Sequence, residues 1–200
     1  MIPVTEQPEP ADFDAKVRRK GLAFLQKKGI APDQPVPEGI TLKPCWRDCL
    51  DDLHVSYKGC CAYLAVYIER VTGGVSADHF TVKVGTSARL AHEWSNYRLA
   101  CSIMNSRKGR YDDVLDPFHI KDNWFSLELV SGRIYPNPSL PFSITRQIQE
   151  TIDRLRLDDA GNRAMRSRHY QEYIEGFCTT DFLKRRSPFV YTEACRQNLL

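Results

Sequence analysis

The chain has 200 residues, 42% hydrophobic and 26% charged, with a formal net charge of +3. That balance supports one packed domain with an appendage and excludes a disordered chain, a collagen and a coiled coil. The longest apolar run, Cys60–Ile68, is far short of the roughly 20 residues that span a bilayer, so no membrane partner is expected.

Residues 1–12 are rich in Pro and Glu and read as an extended arm that orders on a partner. They show neither a basic start nor an apolar stretch, so no signal peptide is read there. Seven cysteines are an odd set and read as reduced thiols, which places the protein in the cytoplasm. Asp12 can cap a helix reaching about Lys28, with Phe13, Val17, Phe24 and Leu25 on one face and Gly29 as its stop. Residues 30–44 hold Pro32, Pro35, Pro37 and Pro44 and read as a linker wrapped on the surface.

A second helix is expected from Cys45 to about Tyr57, burying Trp46, Cys49, Leu50, Leu53 and Tyr57. Cys60–Val71 reads as a strand, and Gly73-Gly74 turns the chain into another strand from Val75 to about Phe80. A loop over Thr81–Glu93, a short strand over Asn96–Ala100 and a helix from Cys101 to Lys108 follow. Trp124–Val130 alternates and pairs with Arg133–Tyr135 across Ser131-Gly132. Beyond Pro136 the pattern is helical, with starts at Ser143, Asn162 and Ser187-Pro188.

The chemistry concentrates between Ala77 and Pro117. Hydrolysis of a phosphodiester requires a base to activate water, a cation at the leaving oxygen and donors for phosphate charge. His79 is a candidate base, since imidazole titrates near neutrality. Asp78 and Asn105 offer hard oxygen ligands suited to Mg²⁺ or Mn²⁺. Asn96 can hold His79 by a hydrogen bond. Arg98, Arg107, Lys108 and Arg110, with no acid between Asn96 and Arg110, form a candidate phosphate-binding surface. Adjacent strand residues face opposite sides, so Asp78 and His79 can share a site only at a strand end or edge.

Five ordered blocks carry a resemblance: Cys-Ala-Tyr at 61–63, Asp-His-Phe at 78–80, Trp-Ser-Asn-Tyr-Arg-Leu-Ala-Cys at 94–101, Met-Asn-Ser-Arg-Lys-Gly at 104–109 and Asp-Val-Leu-Asp-Pro-Phe at 113–118. Over roughly residues 45–135 the chain resembles the ββα-metal HNH endonucleases. In particular it resembles the small HNH proteins encoded beside ABC-type ATPases, including the nuclease subunit of Septu-type anti-phage systems, some of them attached to retrons. The resemblance implies an α+β fold with a ββα-metal HNH core and flanking N-terminal and C-terminal helices. It divides the chain into an arm, helix and linker (1–44), a nuclease core (45–136) and a C-terminal helical region (137–200). It implies Asp78 and Asn105 as metal ligands, His79 as general base and Asn96 as its orienter. Nucleic acid, DNA before RNA, and an ABC-type ATPase docked on the flanks are the partners it implies.

Many relatives carry a Cys-x-x-Cys pair on each side of the Asp-His, forming a zinc site. Here Leu64 and Met104 replace the second member of each pair, so no structural zinc is expected. The alternative is that Cys45 and Cys49 join Cys61 and Cys101. A rival functional expectation is a non-catalytic nucleic-acid-binding or adaptor module on a degenerate HNH scaffold.

Overall fold

The computed structural model describes residues 1–81 and 86–200. A π-helical turn, Asp14–Arg18, runs into helix α1 (Arg19–Lys27). Phe13, Val17 and Leu25 are buried, as their spacing requires. Asp12 does not cap this helix; its carboxylate pairs with Lys16 at 2.6 Å. A 3₁₀ turn, Cys45–Cys49, leads into α2 (Leu50–Ser56), which buries Leu50 and Leu53.

Strand β1 (Val75–His79) pairs antiparallel with β2 (Tyr97–Cys101), and α3 (Ser102–Lys108) follows β2 without a break. The order strand, strand, helix is the one the sequence predicts. In the loop expected over Thr81–Glu93, Ala88–His92 forms a 3₁₀ turn, while residues 82–85 lie outside the described residues. A second hairpin joins β3 (Phe125–Leu127) to β4 (Ile134–Pro136). Four helices complete the chain: α4 (Phe142–Leu155), α5 (Ala160–Ile174), α6 (Thr180–Arg186) and α7 (Pro188–Arg196). Among the described residues no helix is long and apolar enough to cross a membrane.

Two expectations about the flanks are corrected. Cys60–Val71 is not a strand. Ala65 takes a left-handed conformation, and Cys61 N–H donates to Val66 O at 2.8 Å, closing a tight loop. That loop docks on β2 through Ala62 N–H to Leu99 O at 2.8 Å. Its apolar run reports burial of Cys61, Ala62, Tyr63 and Ala65 and not strand geometry. The N-terminal arm is extended but does not project. Met1 is buried, Val4 N–H donates to Pro117 O at 2.9 Å, and the Trp94 indole donates to Gln7 O at 2.8 Å. The arm therefore has its partner in its own chain. One hydrophobic cluster joins Met1 and Phe13 to Leu99 of β2, Ile148 of α4 and Val190 of α7, so the core runs on across the boundaries at 44 and 136.

Gly21 shows how closely α1 approaches the loop before β2. A β-carbon there would lie 2.2 Å from Cγ of the His92 ring, which is buried against it. On an open helix face Gly→Ala stabilises by about 1 kcal/mol. Here the overlap reverses the sign, and Gly21→Ala is expected to destabilise by about 1–3 kcal/mol. Chemical denaturation reads the difference directly, and a gain in stability would show that His92 moves aside freely.

Candidate functional site

β1 and β2 pair with Asp78 opposite Arg98 and His79 opposite Tyr97. His79 is the last residue of β1, so the strict alternation of faces lapses there. Asp78 and His79 both line a cavity of about 680 Å³ together with Asn105, Gly109 and Arg110 and with residues 36–42 of the linker. The requirement for a strand end is met.

Asp78 is only 2% exposed. The Tyr63 hydroxyl donates to its Oδ2. Burial pushes the Asp78 carboxyl above its usual range, and Lys108, the Tyr63 hydrogen bond and Arg98 oppose this in part. Lys108 is 1% exposed, and its Nζ donates to Phe80 O at 2.5 Å and lies 5.0 Å from the centre of the Phe80 ring. Burial lowers the pKa of its ammonium, against the pull of Asp78. The Asn105 amide donates to Ser76 Oγ at 2.9 Å and to Ala77 O at 3.4 Å. With Nδ2 held in this way, Oδ1 is the atom Asn105 offers to the cavity.

His79 Nε2 donates to Ala91 O at 3.1 Å, and the Tyr97 hydroxyl donates to the same oxygen at 2.9 Å. The His79 and Tyr97 rings meet edge to face with centroids 4.9 Å apart. A carbonyl only accepts, so Nε2 carries the proton and Nδ1 is the basic nitrogen of the neutral ring.

Asn96 takes a different position from the one its spacing suggests. Its Oδ1 accepts from Thr81 N–H at 2.7 Å, and its Nδ2 donates to Leu90 O at 2.9 Å. The Asn96 amide thus clamps the two ends of the loop between the strands. It holds Leu90, whose neighbour Ala91 supplies the carbonyl that fixes His79. Its influence on His79 runs through the backbone of that turn.

Of the four candidate phosphate-binding residues, Arg98 and Lys108 are buried and Arg107 is half-buried and engaged within the protein. Arg98 is 4% exposed and forms a bidentate pair with Asp116 at 2.8 and 2.7 Å. Its remaining end donates to Ser95 O at 2.7 Å, and its guanidinium carbon lies 3.5 Å from the centre of the Phe118 ring. Arg107 binds Leu155 O and Arg156 O, at 3.3 and 3.2 Å, and Asp159 at 2.5 Å, fastening α3 to the α4–α5 joint. Lys108 lies beneath Asp78 and acts on its charge instead of reaching solvent phosphate. Arg110 alone of the four is exposed at the cavity. No periodic signal separates these roles, because both faces of β2 are buried.

The cysteines of the zinc alternative fall into two places. The Cys101 N–H donates to Cys61 Sγ at 3.5 Å, and the neighbouring Cys61 thiol holds Cys101 below its usual value despite burial. Cys45 and Cys49 are core residues, and burial raises both thiols above their usual values. Among the described residues no group of three or more His, Cys, Asp or Glu is placed to hold a metal ion, so the four thiols do not converge.

A metal at the cavity would be held by one carboxylate and one amide oxygen, with water and phosphate completing the shell. Mg²⁺ is commonly bound in this way, through one or two carboxylates plus substrate oxygens. The donor set fits such an ion: Asp78 Oδ2 and Asn105 Nδ2 are both engaged within the protein, which leaves one hard oxygen on each side chain.

No protein-family model matches the chain, and no curated protein matches it.

The placement of Arg98 and Arg110 gives opposite expectations for two basic residues in the same segment. Arg98→Ala removes the bidentate partner of buried Asp116, leaving it only the Phe118 N–H and the exposed His119 ring, and is expected to cost about 3 kcal/mol of stability. Arg110→Ala is expected to leave stability unchanged within about 0.5 kcal/mol, as for an ordinary surface site. Burial raises the Asp116 carboxyl, but Arg98 and the Phe118 N–H outweigh it and hold the pKa below its usual value. A depressed carboxylate contributes its stability above the unfolded pKa of about 3.9 and loses it as pH falls through the lower folded value. Acid titration of the Arg98→Ala protein should lack that part of the unfolding transition.

Proposed function

We propose that this chain is a metal-dependent nuclease that hydrolyses nucleic-acid phosphodiester bonds. The observation that carries the reading is the convergence of Asp78, His79, Asn105 and Arg110 on one cavity at the junction of β1, β2 and α3. His79 takes a proton from water at Nδ1, and the hydroxide attacks phosphorus in line with the 3′ oxygen. Ala91 O and the Tyr97 ring hold the imidazole in the tautomer this requires. Asp78 and Asn105 would hold Mg²⁺ or Mn²⁺, which would supply Lewis-acid stabilisation of the charge on phosphate and leaving oxygen. Lys108 opposes the effect of burial on Asp78 and keeps the carboxylate competent as a ligand. Arg110 binds a phosphate beside the scissile one.

The resemblance in residues 45–135 extends this reading to the effector subunit of an anti-phage complex with an ABC-type ATPase, and favours DNA as the substrate. Because the N-terminal arm is occupied within the chain, the docking surface for that ATPase is drawn from the remaining exposed faces.

The test is cleavage of plasmid DNA and of single-stranded DNA and RNA by the purified chain with Mg²⁺ or Mn²⁺, with and without the ATPase. His79→Ala is expected to lower the rate by about 10²–10⁴-fold, as for loss of a general base. Metal binding, read by calorimetry, should persist in that variant and fall in Asp78→Asn. Near-wild-type turnover in the His79→Ala protein would remove His79 from the mechanism, and no cleavage by the wild-type protein with metal and ATPase present would return the chain to the rival reading of a non-catalytic binding module.

A further inference from the structure

The linker is read from the sequence as a surface wrapping, yet its residues 36–42 form part of the wall of the candidate active site. Both ends of this segment are fixed. Upstream, Pro35 bridges Ser87, Ala88 N–H donates to Gln34 O at 2.9 Å, and Ser87 Oγ donates to Pro32 O at 2.7 Å. Downstream, Leu42 is buried with Leu25, Ile30, Ala88 and Ala91 in a small hydrophobic cluster. Between these anchors Pro37–Thr41 is a strap that lines the cavity, anchored beside the 3₁₀ turn that positions His79.

The two walls of the cleft differ in chemistry. The wall from β1 and α3 carries Asp78, His79, Asn105 and Arg110, which are the groups that act on a phosphate. The strap wall carries Val36, Pro37, Ile40 and Leu42 and a single charge, the carboxylate of Glu38. A nucleic-acid strand fits between them in one orientation, with its phosphates toward Arg110 and its bases against the apolar strap. The cavity, about 680 Å³, lies within the range of about 300–1,000 Å³ that encloses a drug-sized molecule, the scale of one or two nucleotides.

A duplex would bring a second backbone to the same cleft. Across its minor groove, about 6 Å wide, the second phosphate backbone lies close beside the first. With one strand's phosphates at Arg110, that second backbone would fall on the side of the cleft lined by the strap, toward the exposed carboxylate of Glu38. Like charges placed opposite one another cost binding energy and discriminate against the partner that brings them. Among the described lining residues the strap offers no aromatic ring and no amide side chain for reading base edges, so recognition would be independent of sequence.

We propose that the strap makes this site selective for single-stranded nucleic acid, DNA or RNA, held by its phosphates and screened against duplex by residues 36–42. The inference rests on the nuclease reading for the identity of the site, but its test reads binding alone. Labelled DNA and RNA strands of one mixed sequence, each single and annealed to its complement, are titrated with the full chain in EDTA and followed by fluorescence anisotropy.

Single strands are expected to bind about 10-fold or more tightly than duplexes, the scale of one unfavourable charge contact. Glu38→Lys, a change at an exposed position, is expected to raise duplex affinity more than single-strand affinity and narrow the gap to about 3-fold. Deletion of residues 37–40 should narrow it further. Photo-crosslinking of a 4-thiouracil-substituted strand to the wild-type protein should mark peptides containing residues 36–42. Equal affinity for single strands and duplexes, no binding of any strand, an unchanged gap in Glu38→Lys, or crosslinks confined to other peptides would each overturn the proposal. A protein that prefers single strands but cleaves nothing with metal and ATPase present would refute the nuclease reading alone. The DNA and RNA arms distinguish which single strand the site prefers.

Discussion

The guanidinium of Arg98 is the contact on which the rest of the site rests. From the middle of β2 it grips Asp116 bidentately at 2.8 and 2.7 Å and lies between the Phe118 and Phe80 rings, 3.5 and 5.1 Å from their centres. Asp116 in turn accepts from Phe118 N–H, so the loop after α3 is held in shape by the same carboxylate. Val4 of the N-terminal arm bonds Pro117 in that loop, and Tyr57 at the end of α2 stacks on Phe118. A buried pair of this kind offsets its desolvation only when every donor and acceptor is met. Here Ser95 O and Phe118 N–H complete the set, and the arm, α2 and β2 are brought into one body around it.

That arrangement sets the electrostatics of the candidate site. Asp78 stands opposite Arg98 in the strand register and above Lys108, with Tyr63 on one oxygen. A carboxylate this deeply buried would favour its neutral form. Two cations and a phenol draw it back toward the charged form without forming a direct salt bridge that would occupy the remaining oxygen. Lys108 gives its hydrogen bond to Phe80 O, so its charge reaches Asp78 through space while its donor is engaged elsewhere. The site is thereby left with a ligand atom that is still available.

The β1–β2–α3 unit was legible in the sequence because short alternating segments, a Gly73-Gly74 turn before them and Gly109 after them mark its ends. The gathering of Asp78, His79 and Asn105 at one cavity was legible for the same reason: Asp78 and His79 close β1, and Asn105 lies one turn into the helix that follows β2. The roles of Arg98, Arg107 and Lys108 were not, because a cation on a surface and a cation in a buried network have the same sequence signature. The signal that could have found Arg98 is Asp116-Pro117-Phe118, an acid and an aromatic side by side that can meet one guanidinium. Cys60–Val71 misled because a continuous apolar run has no periodicity to separate a strand from a buried loop. Asn96 reads as bonding His79 directly, since only the folded loop shows that its amide meets Thr81 and Leu90. Prolines marked residues 30–44 as irregular but carried no information about which surface they cross.

The internal use of these cations bears on how the proposed enzyme would reach its substrate. Each phosphate neutralised on single-stranded nucleic acid contributes a salt dependence of about −0.7 in the logarithm of affinity. A basic surface of four residues would supply a strong, salt-sensitive hold. Among the described lining residues the cavity presents Arg110 as its cation and Glu38 as an opposing charge. Such a site gains little from counterion release and would hold a strand weakly by itself. Its selectivity would come from the shape of the cleft and from the groups that engage the reacting phosphate. On the proposed reading, weak intrinsic affinity protects bystander nucleic acid, and a partner that concentrates the strand at the cleft supplies what the chain lacks. The ATPase expected from the resemblance would then contribute through effective concentration and would not need to rearrange a site whose base and ligands are already held in position by Ala91, Tyr63 and Ser76.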